Sequence, residues 1–263
     1  MQSGINASDG VSLRRMVSDD GGSGGSGGSG ESSKPSEPGE AGLPGAESTD
    51  TSTGVENPSR ADIITALQRG SSVDMTSKPE ITSSRTAYVG AIFSVDETTV
   101  RLAKRDGSAA QIRRQVVRHQ PAVVLLVHDC ARDTYLLERE YRAGSNSYAF
   151  GIPAGLVDPG EDALAAAFRE LEEETGVATD AAYVSIDEIG SFYSSEGMAD
   201  ELVTIMVLHL HEWQARHTHF DADEFVESTW VSWEELNALD IRSSNSVIAL
   251  KHEALRRITR PER

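Results

Sequence analysis

The stretch from Gly155 to Val177, GLVDPGEDALAAAFRELEEETGV, constrains this chain more than any other. Asp158-Pro159-Gly160 is a turn signal, since Pro presets its backbone angle and Gly tolerates a positive one. The run from Glu161 to Thr175 is rich in Ala, Leu and Glu, which are good helix formers. Glu161 and Asp162 place negative charge where a helix N-terminus favours it, and Gly176 is a natural stop. Leu164, Ala167, Phe168 and Leu171 recur at helical spacing and are expected to form one buried stripe. Glu170, Glu173 and Glu174 stand at i, i+3 and i+4, so their carboxylates share another face. Like charges so placed repel, here near the unfavourable C-terminal end of the helix dipole. A hard cation, Mg2+ or Mn2+, would relieve that repulsion through oxygen ligation. Most charge runs on helices are solvated faces. Gly155, Glu161 and Arg169, all in register with the trio, argue for a built site instead.

Composition narrows the function. Net charge is -18 over 263 residues, with a sequence pI near 4.7. That argues against binding nucleic acid through its phosphates. It leaves room for a small anionic substrate, because metal ions and a few arginines reverse the local field. The single cysteine, Cys130, excludes an intrachain disulfide and suits a reducing cytoplasm. Cys130 itself reads as a turn residue without a role. No apolar run reaches the length of a membrane span, and no apolar segment follows Arg14 and Arg15 to make a secretory signal.

Residues 1–80 read as a disordered low-complexity tail, with a Gly/Ser linker at Asp20 to Ser33 and a possible short helix at Ala61 to Gln68. Residues 81–263 read as one folded domain. Strands are expected at 86–95 and 98–103, around a turn at Asp96-Glu97, and at 111–119. Residues 122–129 and 134–142 read as a hairpin. Further strands are expected at 183–189, 202–210 and 225–231, and helices at 232–239 and 245–258. Leu250, Ala254 and Ile258 should share one face of the last helix. Mixed strands with a helix on either side imply an α/β fold, an α/β/α sandwich around a mixed sheet.

Gly155, Glu161, Arg169-Glu170-Leu171, Glu173-Glu174 and Gly176-Val177 occupy every constrained position of the pattern G-x5-E-x7-R-E-U-x-E-E-x-G-U, with U aliphatic. In this the chain resembles the Nudix hydrolases. Around the box, Glu140-Tyr141-Arg142, Ile152 to Gly155, Tyr193 to Glu201, and Asp223 to Glu227 are similar to motifs of the ADP-ribose pyrophosphatase subfamily. The chain departs from that subfamily at Glu196, where a proline is usual, and at Gly151, where a glutamate is usual. Both bear on the substrate pocket, so another nucleoside diphosphate sugar remains open beside ADP-ribose. A ligand-sensing domain without turnover is the reading from another class, and the intact Arg169, Glu170, Glu173 and Glu174 argue against it.

Glu170 and Glu174, one turn apart, are the expected metal ligands, with Glu173 on a second ion or a metal-bound water. The resemblance adds the carbonyl of Ala154. Arg169 and Glu161 are expected to pin loop to helix and orient the glutamates. Glu224 is the candidate general base, with Asp221, Asp223 and Glu227 as neighbouring alternatives, so that Glu224, Glu173 and Arg169 make up the expected catalytic set. Arg118 and Arg142 are candidates for the phosphates or terminal ribose, and Ser195, Gly197 and Glu201 for shaping the ribose pocket. Tyr88 and Phe93, and Trp213, Trp230 and Trp233, read as core or strand-end packing. The resemblance further implies a homodimer in which the segment Ala87 to Val117 reaches the partner's site.

Overall fold

The computed structural model describes residues 59–67, 70–218 and 225–259. The expectation for residues 1–58 therefore lies outside them. Helix α1 (Arg60–Leu67) stands where a short helix was expected. Residues 71–77, read as tail, are hydrogen-bonded to the first strands. Val73 bridges Lys104, and the Asp74 N–H donates to the Ala103 carbonyl at 2.9 Å.

Three long strands, β1 (Glu80–Val89), β2 (Ser94–Ala103) and β3 (Ala109–Arg118), form an antiparallel sheet in chain order. The turn between the first two lies at Gly90 to Phe93, where the Gly90 N–H donates to the Phe93 carbonyl at 2.9 Å. Asp96 and Glu97 are not turn residues. They sit within β2, where Asp96 accepts from Thr86 at 2.8 Å and Glu97 from Arg85 at 2.5 Å, each directly across the strand pair. Adjacent acidic residues within a strand look like a turn until their cross-strand partners are known.

The central sheet is built on β4 (Ala122–Asp129), whose eight residues are all buried. A strand covered on both faces reads as an unbroken apolar run, as AVVLLV does. β5 (Thr134–Arg142) pairs with it only at His128↔Tyr135 and Asp129↔Thr134. Beyond those pairs the expected hairpin opens. β6 (Ser147–Gly151) takes the free length of β5, and β7 (Ala154–Leu156) takes that of β4. Helix α2 (Ala163–Thr175) follows, then the short β8 (Val177–Ala178), β9 (Val184–Tyr193) and β10 (Leu202–Leu210). β11 (Gln214–Ala215) pairs with β8, and β12 (Val226–Ser232) adds to the outer edge of β5. The sheet order is β12-β5-β4-β10-β9, with only β4 and β10 parallel, so the sheet is mixed as expected.

Helix α2 covers one face, against Val123, Leu125, Val127 and Leu208. Helices α3 (Trp233–Ala238) and α4 (Ser244–Thr259) cover the other, against Val124, Leu126, Leu137 and Val207. Two apolar stripes differ from expectation. On α2 the buried residues are Ala166, Ala167 and Leu171, while Leu164 is exposed. On α4 they are Ser246, Ala249, Leu250 and Glu253, while Ile258 is exposed. Small residues let each helix lie close to the sheet, and spacing alone does not favour Leu over Ala at the contact. Trp213 stacks on Trp230 at 5.2 Å and Trp233 tilts against Tyr135, so the tryptophans pack as expected. Tyr88 and Phe93 do not: both are exposed on the β1–β2 hairpin, in contact with each other at 5.7 Å. Among the described residues no helix is long and apolar enough to cross a membrane.

Candidate active site

Helix α2 is delivered to the site by its two ends. Asp162 is the N-cap, its carboxylate accepting from the Leu164 and Ala165 N–H groups at 3.0 and 2.9 Å. Gly176 closes the C-terminus in the left-handed region, φ 68°, donating to the Glu172 carbonyl. A side chain there is doubly excluded, because its Cβ would meet the Arg216 carbonyl oxygen at 2.3 Å.

Arg169 organises what lies between. Its Nε and one terminal nitrogen grip the two oxygens of Glu161 at 3.1 and 2.9 Å. The other terminal nitrogen reaches Glu170 at 2.9 Å and Glu173 at 3.0 Å, and the Leu156 carbonyl accepts at 2.8 Å. All five guanidinium N–H groups thus have an acceptor. Glu161, foremost, and then Glu173 and Glu170 hold the guanidinium more firmly protonated than usual, against the opposing effect of burial. Glu161 is in turn held below the ordinary carboxylate range, first by Arg169 and then by the Asp158 N–H. The loop 156–161 is pinned to the helix through this one side chain, as expected.

The loop end of the site is equally tight. The Ala154 N–H points to Glu174 at 3.4 Å. Glu170 lies directly over Gly155, where an added Cβ would fall 1.9 Å from its carboxyl carbon. Glycine at 155 leaves open the space this carboxylate occupies, and a side chain there would push the carboxylate aside. Arg169 draws the Glu170 and Glu173 carboxylates to one of its nitrogens, and the Glu174 carboxylate faces the Ala154 N–H, so all three side chains offer oxygen, which suits Mg2+ or Mn2+ and poorly suits a soft cation.

Glu138 on β5 was not anticipated from sequence. It is buried, and its Oε1 has no hydrogen-bond partner. Burial pushes its carboxyl up to about 8, with Glu140 and Glu170 adding to the rise and Arg142 opposing it. It lines a cavity of about 360 Å³ with Phe150 of β6 and Glu227 to Thr229 of β12. The available signal was a lone acid directly after the apolar run Tyr135 to Leu137.

The substrate candidates are dispersed. Arg118 donates to Asp96 at 3.0 Å and to Asp200 at 2.9 Å. With the Val117 N–H on the Met198 carbonyl, it moors the 195–201 loop to β3. Ser195 caps that loop, its carbonyl accepting from Met198 and Ala199, and Gly197 lies at its exposed tip. Glu201 accepts from Ser194 and lies 3.3 Å from His119. Arg142 is an exposed residue paired with Glu140 at 2.8 Å. Glu224, with Asp221 and Asp223, lies outside the described residues, and Glu227 is on β12.

A mixed sheet between α2 and α3/α4, with an arginine-pinned glutamate helix against a glycine turn, defines the fold and site of the Nudix class. The NUDIX domain family model matches residues 118–250, and the chain belongs to that family. It is 34% identical over 140 residues to an ADP-ribose pyrophosphatase of Bacillus subtilis, covering 53% of this chain and 71% of that protein. It is 30% identical over 144 residues to a methanol dehydrogenase activator of Bacillus methanolicus, covering 53% and 75%. A crystal structure of an ADP compounds hydrolase superposes with a TM-score of 0.55 at 22% identity, over 70% of this chain and 97% of that one, which supports the fold. The chain is a hydrolase acting on diphosphate bonds, with ADP-ribose pyrophosphatases among its relatives.

Proposed function

We propose that the protein is a metal-dependent pyrophosphatase that cleaves ADP-ribose to AMP and ribose 5-phosphate. The observation that carries this reading is the carboxylate-bearing face of α2, where Arg169 holds Glu170 and Glu173, Glu170 lies over Gly155, and Glu174 meets the Ala154 N–H. Glu170, Glu174 and the Ala154 carbonyl would hold the cation, with Glu173 beside them. Bound Mg2+ or Mn2+ would neutralise the diphosphate charge that otherwise repels a nucleophile. Arg169 orients the Glu170 and Glu173 carboxylates without entering the reaction, while Glu174 faces the Ala154 N–H. Glu224 is assigned the general base, removing a proton from the attacking water.

Arg118 and the 195–201 loop are assigned to the terminal ribose and phosphates, with Arg142 at the rim. The exposed Tyr88 and Phe93 supply the aromatic surface that a base would stack on. All ten residues of β1 are exposed, and Ile81, Tyr88, Val89 and Ile92 leave apolar area uncovered on this sheet. That supports a homodimer in which the β1–β3 sheet meets the partner's site. Glu196 and Gly151, where the subfamily carries proline and glutamate, favour another nucleoside diphosphate sugar as the second reading. The protein is assigned to the cytoplasm, with no nucleic acid or membrane partner. A mass-resolved hydrolysis assay over ADP-ribose, other nucleoside diphosphate sugars and nucleoside triphosphates, with Mg2+ or Mn2+, tests this. AMP and ribose 5-phosphate from ADP-ribose are expected. Turnover of triphosphates alone would overturn the proposal.

A further inference from the structure

The parallel pairing of β4 and β10 sets His128 directly beside His209, at the opposite end of β4 from the Ala154 contact. His128 lies four positions beyond Val124, the partner of Ala154, or roughly 13 Å along a strand. Both imidazoles are buried. Their Nδ1 atoms face each other at 3.0 Å, and the Cys130 Sγ lies 3.8 Å from that of His128. One nitrogen from each histidine and the sulfur all fall within 4.8 Å of one another.

The outer nitrogens decide what belongs between them. His128 Nε2 lies 3.0 Å from the Asp133 carboxylate. His209 Nε2 is buried without a hydrogen-bond partner, 3.6 Å from the Asp187 carboxylate. Two neutral imidazoles carry two protons for these three contacts. If His209 carries its proton on Nδ1 to bond His128, its bare Nε2 faces Asp187. If His128 donates instead, its bare Nε2 faces Asp133. Either arrangement sets a lone pair against a carboxylate oxygen. A cation between the two Nδ1 atoms removes the conflict, since both outer nitrogens then carry protons toward carboxylates. Imidazole ligands oriented by carboxylates on their far nitrogens are a recurrent outer shell of protein metal sites. A proton could also fill the gap, but it would make no use of the sulfur. Tetrahedral zinc, with bonds of about 2.0–2.1 Å to nitrogen and 2.3 Å to sulfur, spaces such donors roughly 3.3–3.6 Å apart. The Nδ1–Nδ1 separation of 3.0 Å and the His128 Nδ1–Sγ separation of 3.8 Å lie on either side of that range, and the His209 nitrogen lies within 4.8 Å of the sulfur.

We propose that His128, Cys130 and His209 form a second metal site, distinct from the glutamate site, that takes a soft or borderline cation, zinc foremost, through two Nδ1 atoms and one thiolate. The fourth position is left to water, on the side where Cys130 is partly exposed. Bound metal would staple the ends of β4 and β10 beside the β4–β5 turn. Binding releases the thiol proton to solvent and involves no redox step.

The test uses the full chain, reduced and freed of metal by chelation, then held in excess Mg2+ to occupy the glutamate site. Cobalt(II) is the probe, because a thiolate-to-cobalt charge-transfer band can arise only from Cys130. One equivalent of cobalt should produce the band, and one equivalent of zinc should bleach it. Glu174→Gln should retain it. Cys130→Ser should lose it, with zinc affinity at least tenfold weaker and diphosphate hydrolysis unchanged. Long-range proton–nitrogen spectra of the wild-type chain read the histidines without a substitution in the core. Zinc should shift Nδ1 of both His128 and His209. No cobalt band, zinc affinity unaltered by Cys130→Ser, or Nδ1 signals that respond to pH and not to zinc would each overturn the site. The last result would mark a buried proton in place of a metal.

Discussion

The carboxylate of Glu170 occupies the space that a side chain on residue 155 would need, and it is held there by Arg169. Gly155→Ala should therefore displace Glu170 while leaving the fold intact. Metal-activated turnover should fall about 10–100-fold, the usual cost of disturbing a metal ligand's surroundings. Circular dichroism together with a Mg2+ titration of rate checks this. Unchanged turnover at low Mg2+ would show that Glu170 is not a ligand.

Arg169→Lys keeps the charge but supplies three N–H groups where the guanidinium uses five. The lysine variant should resemble Arg169→Ala, with Mg2+ affinity about 10–100-fold weaker in both. Rescue of wild-type Mg2+ dependence by lysine would reduce the arginine's part to that of a point charge.

Glu138 supplies the pH dependence. Its folded carboxyl titrates at about 8, against 4.5 for the ordinary group, first because it is buried. Between those values the folded state binds more protons than the unfolded one, so stability falls as pH rises from about 4.5 through 8. Glu138→Gln stays neutral and should remove that slope, stabilising the protein at pH 8 by about 1–3 kcal/mol. Urea melts at pH 5 and pH 8, in chelator so that no cation alters the Glu170 charge, make the comparison. Equal slopes in the two proteins would sink the assignment.

Arg118 tethers the 195–201 loop through Asp200 and β2 through Asp96. Both contacts are partly exposed. Arg118→Ala should raise KM for ADP-ribose roughly two- to fivefold with little change in kcat or in Mg2+ dependence. A loss confined to kcat would contradict a role in substrate binding.

Truncation separates two segments. Deleting residues 1–58 removes none of the described site residues, and turnover should be unchanged. Deleting residues 1–77 also strips the Val73 bridge and the Asp74 hydrogen bond from the end of β2. About 1 kcal/mol should be lost, or ~2–4 °C in Tm. Equal melting temperatures for the two truncations would show that the 71–77 contact is dispensable.

Local chemistry wrote the central helix and its ends into the sequence. Asp162 and Gly176 cap it, Gly155 opens the turn, and the spacing of Glu170, Glu173 and Glu174 sets them on one face whatever surrounds them. These features depend on neighbours within a few turns, so residue order alone determined them, and the mixed sheet between helices followed from the order of strands and helices. Register and burial depend on partners far along the chain. Only the fold moved the first turn to Gly90, because Asp96 and Glu97 find their partners across a strand pair. It alone opened the β4–β5 hairpin to admit β6 and β7. It buried Glu138 without a partner for Oε1, and it set His128 beside His209 from strands eighty residues apart. No periodicity encodes such meetings, since parallel strands are joined only through everything that lies between them.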